Sequence, residues 1–255
     1  MRKTVLDYAE QLTASANADK LGFLDKIITL KVKPELEKLD NVTFIEKITD
    51  DANFTATFYF DIELENILLF YKVLGSSNGK IQMGIAKKES KEVIKSYDCK
   101  DFSYTTSSNF HLFIGTMYFI VNNNKLNAIY TSLSTGMVTN STFFALDIDN
   151  FGKSFIALGD NAMSAYYGED ENYIPYILNN THINNYLSTH VWIGNSEIVI
   201  SDSSEIQATT TNLLKICSKI LSTNIALSGQ LIDVDGIKYR KLNYCWWIKD
   251  TEEGV

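Results

Sequence analysis

Proline and cysteine are both scarce in this chain of 255 residues. There are 2 prolines, Pro34 and Pro175, so Asn, Asp, Gly and Ser must supply most of the turns. The 3 cysteines, Cys99, Cys217 and Cys245, are widely spaced and odd in number, which excludes a disulfide framework that pairs every cysteine. This pattern favours buried free thiols in a reducing compartment.

Long apolar runs are missing as well. No stretch approaches the roughly 18 uninterrupted apolar residues that a membrane-spanning helix needs. The longest runs, at residues 67–71 and 117–121, have the length of strands. An acidic residue, Asp7, follows the N-terminus almost at once, so we expect neither a signal peptide nor a membrane span.

Catalytic signatures are absent too. The chain has no G-x-S-x-G, no P-loop, no G-x-G-x-x-G, and no cysteine grouped with a histidine and an acid. We therefore expect no enzyme and no cofactor or resident metal. The formal net charge of −8 argues against a surface that binds nucleic-acid phosphates. Acidic residues interrupt the lysine-rich stretch 87–100, which favours a solvated, charged connector.

Two alternatives depend on residues in the middle of the chain. His182 and His190, with the acidic residues 169–171 upstream, could serve a metal-dependent enzyme, but their spacing matches neither H-E-x-x-H nor a pair on one helical turn. Ordinary loop or core histidines are favoured. The other alternative is a module that binds host-surface carbohydrate, because aromatic faces stack on sugar rings, although a packed loop is favoured. Its candidate ligand contacts are Tyr166, Tyr167, Tyr173 and Tyr176.

The residues that are present in excess favour strands. Aromatic side chains make up 12% of the chain, mostly as Tyr and Phe, which suit a half-buried pleated surface. Residues 54–64 alternate apolar and polar side chains, and two further apolar segments, 67–74 and 81–85, follow across short turns. This pattern predicts an antiparallel meander. The fold class we expect is α+β, predominantly antiparallel, with a sandwich or barrel-like body.

Helical spacing is confined to two places. Val5, Tyr8, Leu12 and Ala16 form one apolar stripe, and a second stripe follows from Leu21, so we expect an N-terminal helical arm over residues 1–40 that packs on the following sheet or on a neighbouring subunit. A short helix is predicted near residues 210–222. The β-rich body then spans residues 41–255, with a candidate subdivision near 160–190.

The chain closes on a hairpin at residues 229–250. Asp235-Gly236 is a strong turn signal because a tight reversal needs residues that tolerate positive φ. Trp246 and Trp247 follow each other on the last predicted strand, and successive side chains of a strand point to opposite faces. One of them must therefore meet a second layer, so we expect Trp246, Trp247 and Ile248 to contribute to an interface.

The same closing segment carries the only family resemblance. Val-Asp-Gly-Ile-Lys-Tyr at 234–239, followed by Cys-Trp-Trp-Ile-Lys at 245–249, resembles the C-terminal ends of structural proteins in tailed bacteriophages and phage-derived contractile particles of Gram-positive bacteria. The resemblance implies a neck, tail or baseplate subunit that is made in the bacterial host cytoplasm and functions in the virion. Its implied partners are other virion structural proteins and further copies of itself.

Overall fold

The computed structural model describes residues 2–11, 17–64, 66–76, 79–101, 110–113, 115–122, 124–134, 139–148, 154–159, 163–167, 174–177, 198–202, 205–209, 214–216, 231–234, 237–243 and 246–249. The chain divides into two compact units, Arg2–Thr142 and Phe143–Val255, which we call the N-terminal and C-terminal units. The predicted division into residues 1–40 and 41–255, with a subdivision near 160–190, stays a prediction.

The N-terminal unit combines one helical segment with strands. Its elements are β1 (Arg2–Val5), β2 (Tyr8–Gln11), α1 (Asn17–Ile27), a π-helical turn (Ile28–Val32), α2 (Lys33–Leu36), β3 (Thr43–Asp50), β4 (Thr55–Asp61), β5 (Ile67–Leu74), β6 (Lys80–Lys87), β7 (Val93–Asp101), β8 (Phe110–Phe113), β9 (Gly115–Asn122) and β10 (Lys125–Ser134).

A five-stranded antiparallel sheet forms the centre of this unit, with β3 to β7 arranged in chain order. The predicted meander is thereby confirmed. Phe58, Tyr71 and Met83 lie opposite one another on neighbouring strands and are at most 2% exposed. The other face carries a second buried cluster that includes Tyr59 and Phe70. Because both faces are covered, the central strands are apolar almost throughout.

The predicted N-terminal helix is confirmed over residues 17–36. Its buried side chains include Leu21, Leu24 and Ile27, and α1 lies against β4 and β5. Pro34 lies in the first turn of α2, a position that its fixed φ suits. Among the described residues, no helix is long and apolar enough to cross a membrane.

The helical prediction is wrong for residues 2–11, which form two strands. β1 pairs with β9 from Arg2↔Phe119 to Val5↔Thr116, and β2 pairs with β8. Four-residue strands place apolar side chains at spacings that a helical stripe shares, so pairing with distant strands overrides the local pattern. Leu12 and Ala16, which completed the predicted stripe, lie outside the described residues.

The expected connector at residues 87–100 is also wrong, because β7 occupies most of it. β7 pairs with β6, with Tyr97 opposite Met83, and buries Cys99. The lysines before it pair with acids, since Lys87 lies 3.0 Å from Glu92. β7 was missed because its many charged side chains interrupt the apolar alternation that predicts a strand.

β9 and β10 form a hairpin beside β1, and one buried side chain ties it to the rest of the unit. Asn41 accepts a hydrogen bond from the Leu126 N–H at 2.7 Å and donates to the Leu126 carbonyl at 3.4 Å. Asn41 is only 8% exposed, so these bonds satisfy a polar group that would otherwise be costly to bury. The amide therefore acts like a strand partner for β10.

The C-terminal unit is described as strands, all paired antiparallel. They are residues 143–148 of β11 (Thr139–Ile148), with β12 (Ser154–Gly159), β13 (Met163–Tyr167), β14 (Ile174–Ile177), β15 (Ile198–Asp202), β16 (Glu205–Thr209), β17 (Leu214–Ile216), β18 (Leu231–Val234), β19 (Ile237–Asn243) and β20 (Trp246–Lys249).

Two sequence predictions meet this unit with opposite outcomes. The hairpin at Asp235-Gly236 is confirmed by the closing pair Val234↔Ile237. The helix predicted near residues 210–222 is wrong where it can be compared, because β17 pairs with β20 from Leu214↔Ile248 to Ile216↔Trp246. A three-residue segment is too short for its apolar spacing to distinguish helix from strand, and the neighbouring strand decides.

Candidate functional site

The predicted interface residues Trp246, Trp247 and Ile248 lie on β20. This strand has β17 on one side and β19 on the other. Its main-chain hydrogen-bonding groups are therefore used within the chain, and β20 offers no free strand edge for a partner. The contact of one tryptophan with a second layer or another subunit stays a prediction.

The other candidate residues lie on two strands of the C-terminal unit or outside the described residues. Tyr166 and Tyr167 lie on β13, and Tyr176 lies on β14, in a different sheet of the C-terminal unit. Tyr173, His182 and His190 lie outside the described residues. Within the described ranges, no cluster of three or more His, Cys, Asp or Glu side chains is arranged to hold a metal. The carbohydrate and metal-enzyme alternatives stay predictions.

A different feature, the outer edge of the five-stranded sheet, has the properties of a contact surface. β3 is 8 residues long and pairs with β4 on one side. On its other side, the described part of the chain places no strand. Ile45 and Ile48 on this strand are large apolar side chains that are 45% and 44% exposed. An edge of this kind is a template for pairing with another chain.

The charged side chains of β3 are held by the chain itself. Lys47 forms an ion pair with Asp25 of α1 and lies 5.3 Å from the centre of the Phe58 ring. Glu46 forms an ion pair with Lys91 at 2.5 Å. Because both charges have partners on the body of the unit, neither projects freely from the strand edge.

The turn after β3 is fixed by hydrogen bonds. The Asp50 carboxylate accepts from the Asn53 amide side chain at 2.6 Å and from its main-chain N–H at 3.1 Å, and these bonds hold the pKa of Asp50 below its usual value. Phe54 ends the turn at φ 51°, in the left-handed region, and its carbonyl accepts from the Gly75 N–H at 2.8 Å. These hydrogen bonds therefore hold the end of β3 in place against β4 and β5.

A groove of about 390 Å³ lies between α1 and the end of the β3–β4 hairpin. Leu21 and Ala56 give it an apolar floor, while Asp25, Lys47 and Asp51 are its charged lining residues. Gly22 also lines it, and a Cβ at that position would meet no atom within 4 Å. The groove is therefore a space for a side chain rather than a packed helix–sheet contact.

The interior of the sheet holds a buried titratable side chain, Tyr71. Tyr71 of β5 donates its hydroxyl hydrogen bond to the Met117 sulfur at 3.5 Å, and burial raises the pKa of this tyrosine well above its usual value. The Cys99 thiol of β7 also acts on Tyr71 and raises its pKa further. Because a thioether is a weak acceptor, we assign the Tyr71–Met117 contact to packing between β5 and β9.

Sequence patterns missed the β3 edge and its groove. Residues 43–50 alternate neither strictly nor with one apolar face, because most of the strand is exposed. The signal that was present is Ile45 and Ile48 among charged residues, which marks apolar side chains with no core position assigned. The groove itself depends on α1 approaching β3, which no local pattern encodes.

No protein family, curated protein or solved structure matches this chain. The function must therefore be argued from the residues themselves and from the resemblance of the C-terminal segment.

Proposed function

We propose that the protein is a non-enzymatic structural subunit of a tailed bacteriophage or a phage-derived contractile particle, associated with the neck, tail or baseplate. It acts by assembling with other virion proteins and with further copies of itself. The observation that carries the proposal is the edge of β3, where exposed Ile45 and Ile48 accompany a strand paired on one side.

The physical reason is that assembly covers such surfaces. An exposed strand edge and exposed apolar side chains both gain stability when a neighbouring subunit pairs with the backbone and removes the side chains from water. Interfaces between virion subunits persist for the life of the particle, so they must bury more surface than a passing encounter. The residues of β3 are suited to a lasting contact between subunits, because the strand offers both a backbone edge and exposed apolar side chains.

The closing segment supports the choice of particle. Residues 234–239 and 245–249 carry the resemblance to phage structural proteins, and those of them that the structure describes lie on paired antiparallel strands. We further propose that the strands of the two units complete sandwich or barrel-like bodies in the assembled particle. The protein is made in the bacterial host cytoplasm and joins the virion there.

Mass spectrometry of purified particles tests the proposal. Particles released from the producing bacterium are purified on a density gradient, and the protein is quantified against a capsid protein across the fractions. We expect a constant, near-integral ratio in the particle peak and the same band after a high-salt wash. A protein that stays in the soluble fractions, or leaves the particles in high salt, contradicts the proposal.

A further inference from the structure

We propose that β3 accepts an extended segment of another polypeptide as an added strand, with one of its basic side chains entering the groove beside α1. The inference deepens the proposed assembly function, on which it rests, by naming the surface and the chemistry of the partner. It is β-strand addition, in which main-chain hydrogen bonds hold the partner and alternate side chains select it.

The backbone of β3 is suited to an added strand. From Glu46 to Asp50 its five residues pair with β4 in continuous register, whereas the irregularity lies earlier, at Ile45. A bulge and an inward-pointing lysine are two of the devices by which proteins protect sheet edges. Here the irregularity lies near the start of the strand, and Lys47 is held by Asp25 and the Phe58 ring. Within the described residues, no strand pairs with the outer edge of the second half of β3, and the charge of Lys47 is already satisfied.

The two faces of β3 ask for different side chains. Lys47 and Thr49 line the groove, so they share its face, and the residue between them, Ile48, belongs to the opposite face. Ile48 lies opposite Thr57 of β4 and is 44% exposed. An apolar side chain on the incoming strand would cover Ile48, because side chains directly across neighbouring strands are in contact.

The groove face asks for a positive charge. Asp25 and Asp51 bring two carboxylates to the lining, and Lys47 brings one ammonium group that is already paired with Asp25. Within the described residues, the Asp51 side chain has no ion pair or hydrogen bond of its own. A lysine or arginine on the incoming strand would reach Asp51 along the apolar floor, with its methylene groups against Leu21 and Ala56.

The occupant is therefore an extended segment with alternating basic and apolar side chains and no proline. Proline is excluded because it cannot donate a main-chain hydrogen bond to β3. A segment with acidic side chains on the groove face is disfavoured, because it would meet Asp51 in a chain whose formal net charge is −8.

Binding of fluorescein-labelled peptides to the full chain tests this. The probe is a peptide as long as β3, 8 residues, with alternating lysine and valine. Its controls are the same peptide with one central valine replaced by proline, and a peptide in which glutamate replaces lysine. We expect saturable binding of the probe, and binding about tenfold weaker or absent for both controls.

Hydrogen exchange locates the bound peptide. In the presence of the lysine–valine probe, amide exchange should slow in residues 43–51 and stay unchanged in β5, whose amides are already bonded on both sides. Equal slowing across the chain, or slowing that leaves residues 43–51 unchanged, would overturn the proposal. Slowing of β3 that rises with protein concentration alone would overturn it too, by naming a second copy as the occupant.

Three variants separate β3 from general electrostatic attraction. Ile48→Lys and Leu30→Lys make the same charge change at exposed apolar positions, 44% and 55% exposed, and only Ile48 lies on β3. We expect Ile48→Lys to weaken binding about tenfold and Leu30→Lys to leave it within about twofold. Gly22→Leu should also weaken binding by filling the groove, and its Cβ would meet no atom within 4 Å. Circular dichroism of this variant should match that of the wild type. Equal effects of the two lysine variants would overturn the proposal.

The particle test and the peptide test can fail separately. A protein found in particles that does not bind the lysine–valine peptide keeps its proposed function and loses the β3 site. A protein that binds the peptide through β3 but is absent from particles loses the virion proposal and keeps a strand-addition site.

Discussion

β5 and β3 belong to one sheet and have the same length of 8 residues, yet the side chains of β5 are mostly buried and those of β3 are mostly exposed. In β5, Leu69 and Phe70 are at most 1% exposed, and only two residues of the strand are not fully buried. In β3 no residue is fully buried. Both strands contain isoleucine and other strand-forming residues. Position in the sheet, rather than strand propensity, therefore decides which side chains stabilise the fold.

This difference in burial indicates that the two strands have different roles. β5 has a strand on each side and covered faces, so its side chains are removed from water by the chain itself. β3 has one strand neighbour within the described residues, and its apolar side chains remain exposed. Changes in β5 should act on stability, whereas changes in β3 should act on binding. Measurements of unfolding and of peptide binding on variants of both strands test this expectation.

The largest effect is expected from Phe70→Ala in β5. Phe70 is 1% exposed, and its ring centre lies 6.2 Å from that of Tyr59. Removing the ring leaves a cavity in a well-packed cluster, which should lower the free energy of unfolding by about 3–5 kcal/mol. Urea denaturation of the full chain, in wild-type and variant form, measures it. The matched change in β3, Ile48→Ala, should cost less than about 1 kcal/mol; similar losses would remove the distinction between centre and edge.

A smaller loss is expected from Gly84→Ala in β6, next to β5. A Cβ at Gly84 would lie 2.2 Å from the Lys95 carbonyl oxygen and 2.7 Å from the Phe70 ring, so the strands must shift. We expect about 1–3 kcal/mol of destabilisation, the usual cost of overpacking. Gly22→Ala is the control, because its Cβ meets no atom within 4 Å and alanine favours the helix. Thermal unfolding should show a lower Tm for the first variant and an unchanged or higher Tm for the second.

The sequence predicted the central strands far better than the edge. Strict alternation over residues 54–64 identified β4, because its buried face is nearly complete. Among the strands that escaped prediction, β1, β3 and β7 are short, exposed or charged, and pairing with neighbours defines them. Local pattern therefore records burial, and it fails where a strand is held mainly by its backbone.

The candidate site was harder to predict than the fold for the same reason. Asp25 and Lys47 lie on different elements, and they meet only because α1 packs across β4 and β5. A long-range approach of this kind depends on the whole core. The predicted contact through Trp246 and Trp247 came instead from a strong local signal, and its test requires a partner.

The buried hydroxyl of Tyr71, on β5, makes the free energy of unfolding of the protein dependent on pH. Burial raises the pKa of Tyr71 in the folded protein, whereas the unfolded chain keeps an ordinary value near 10.0. Above that pH the unfolded state binds fewer protons than the folded state, so stability falls as pH rises. Relative to Tyr71→Phe, the wild-type protein should lose stability as the pH rises from 9 to 11. Parallel stability curves for the two proteins in urea would contradict this.

The smallest effect on stability is expected from Ile48→Thr in β3, and it is the sharpest test of the comparison. Threonine keeps the branched shape that strands prefer, and Ile48 is 44% exposed, so the free energy of unfolding should change by less than about 0.5 kcal/mol. Binding of the lysine–valine peptide should nevertheless weaken several-fold, because an apolar contact across the strands is lost. A variant that loses stability and keeps binding would show that β3 belongs to the core after all. A variant that loses only binding would support the distinction between β3, which binds a partner, and β5, which stabilises the fold.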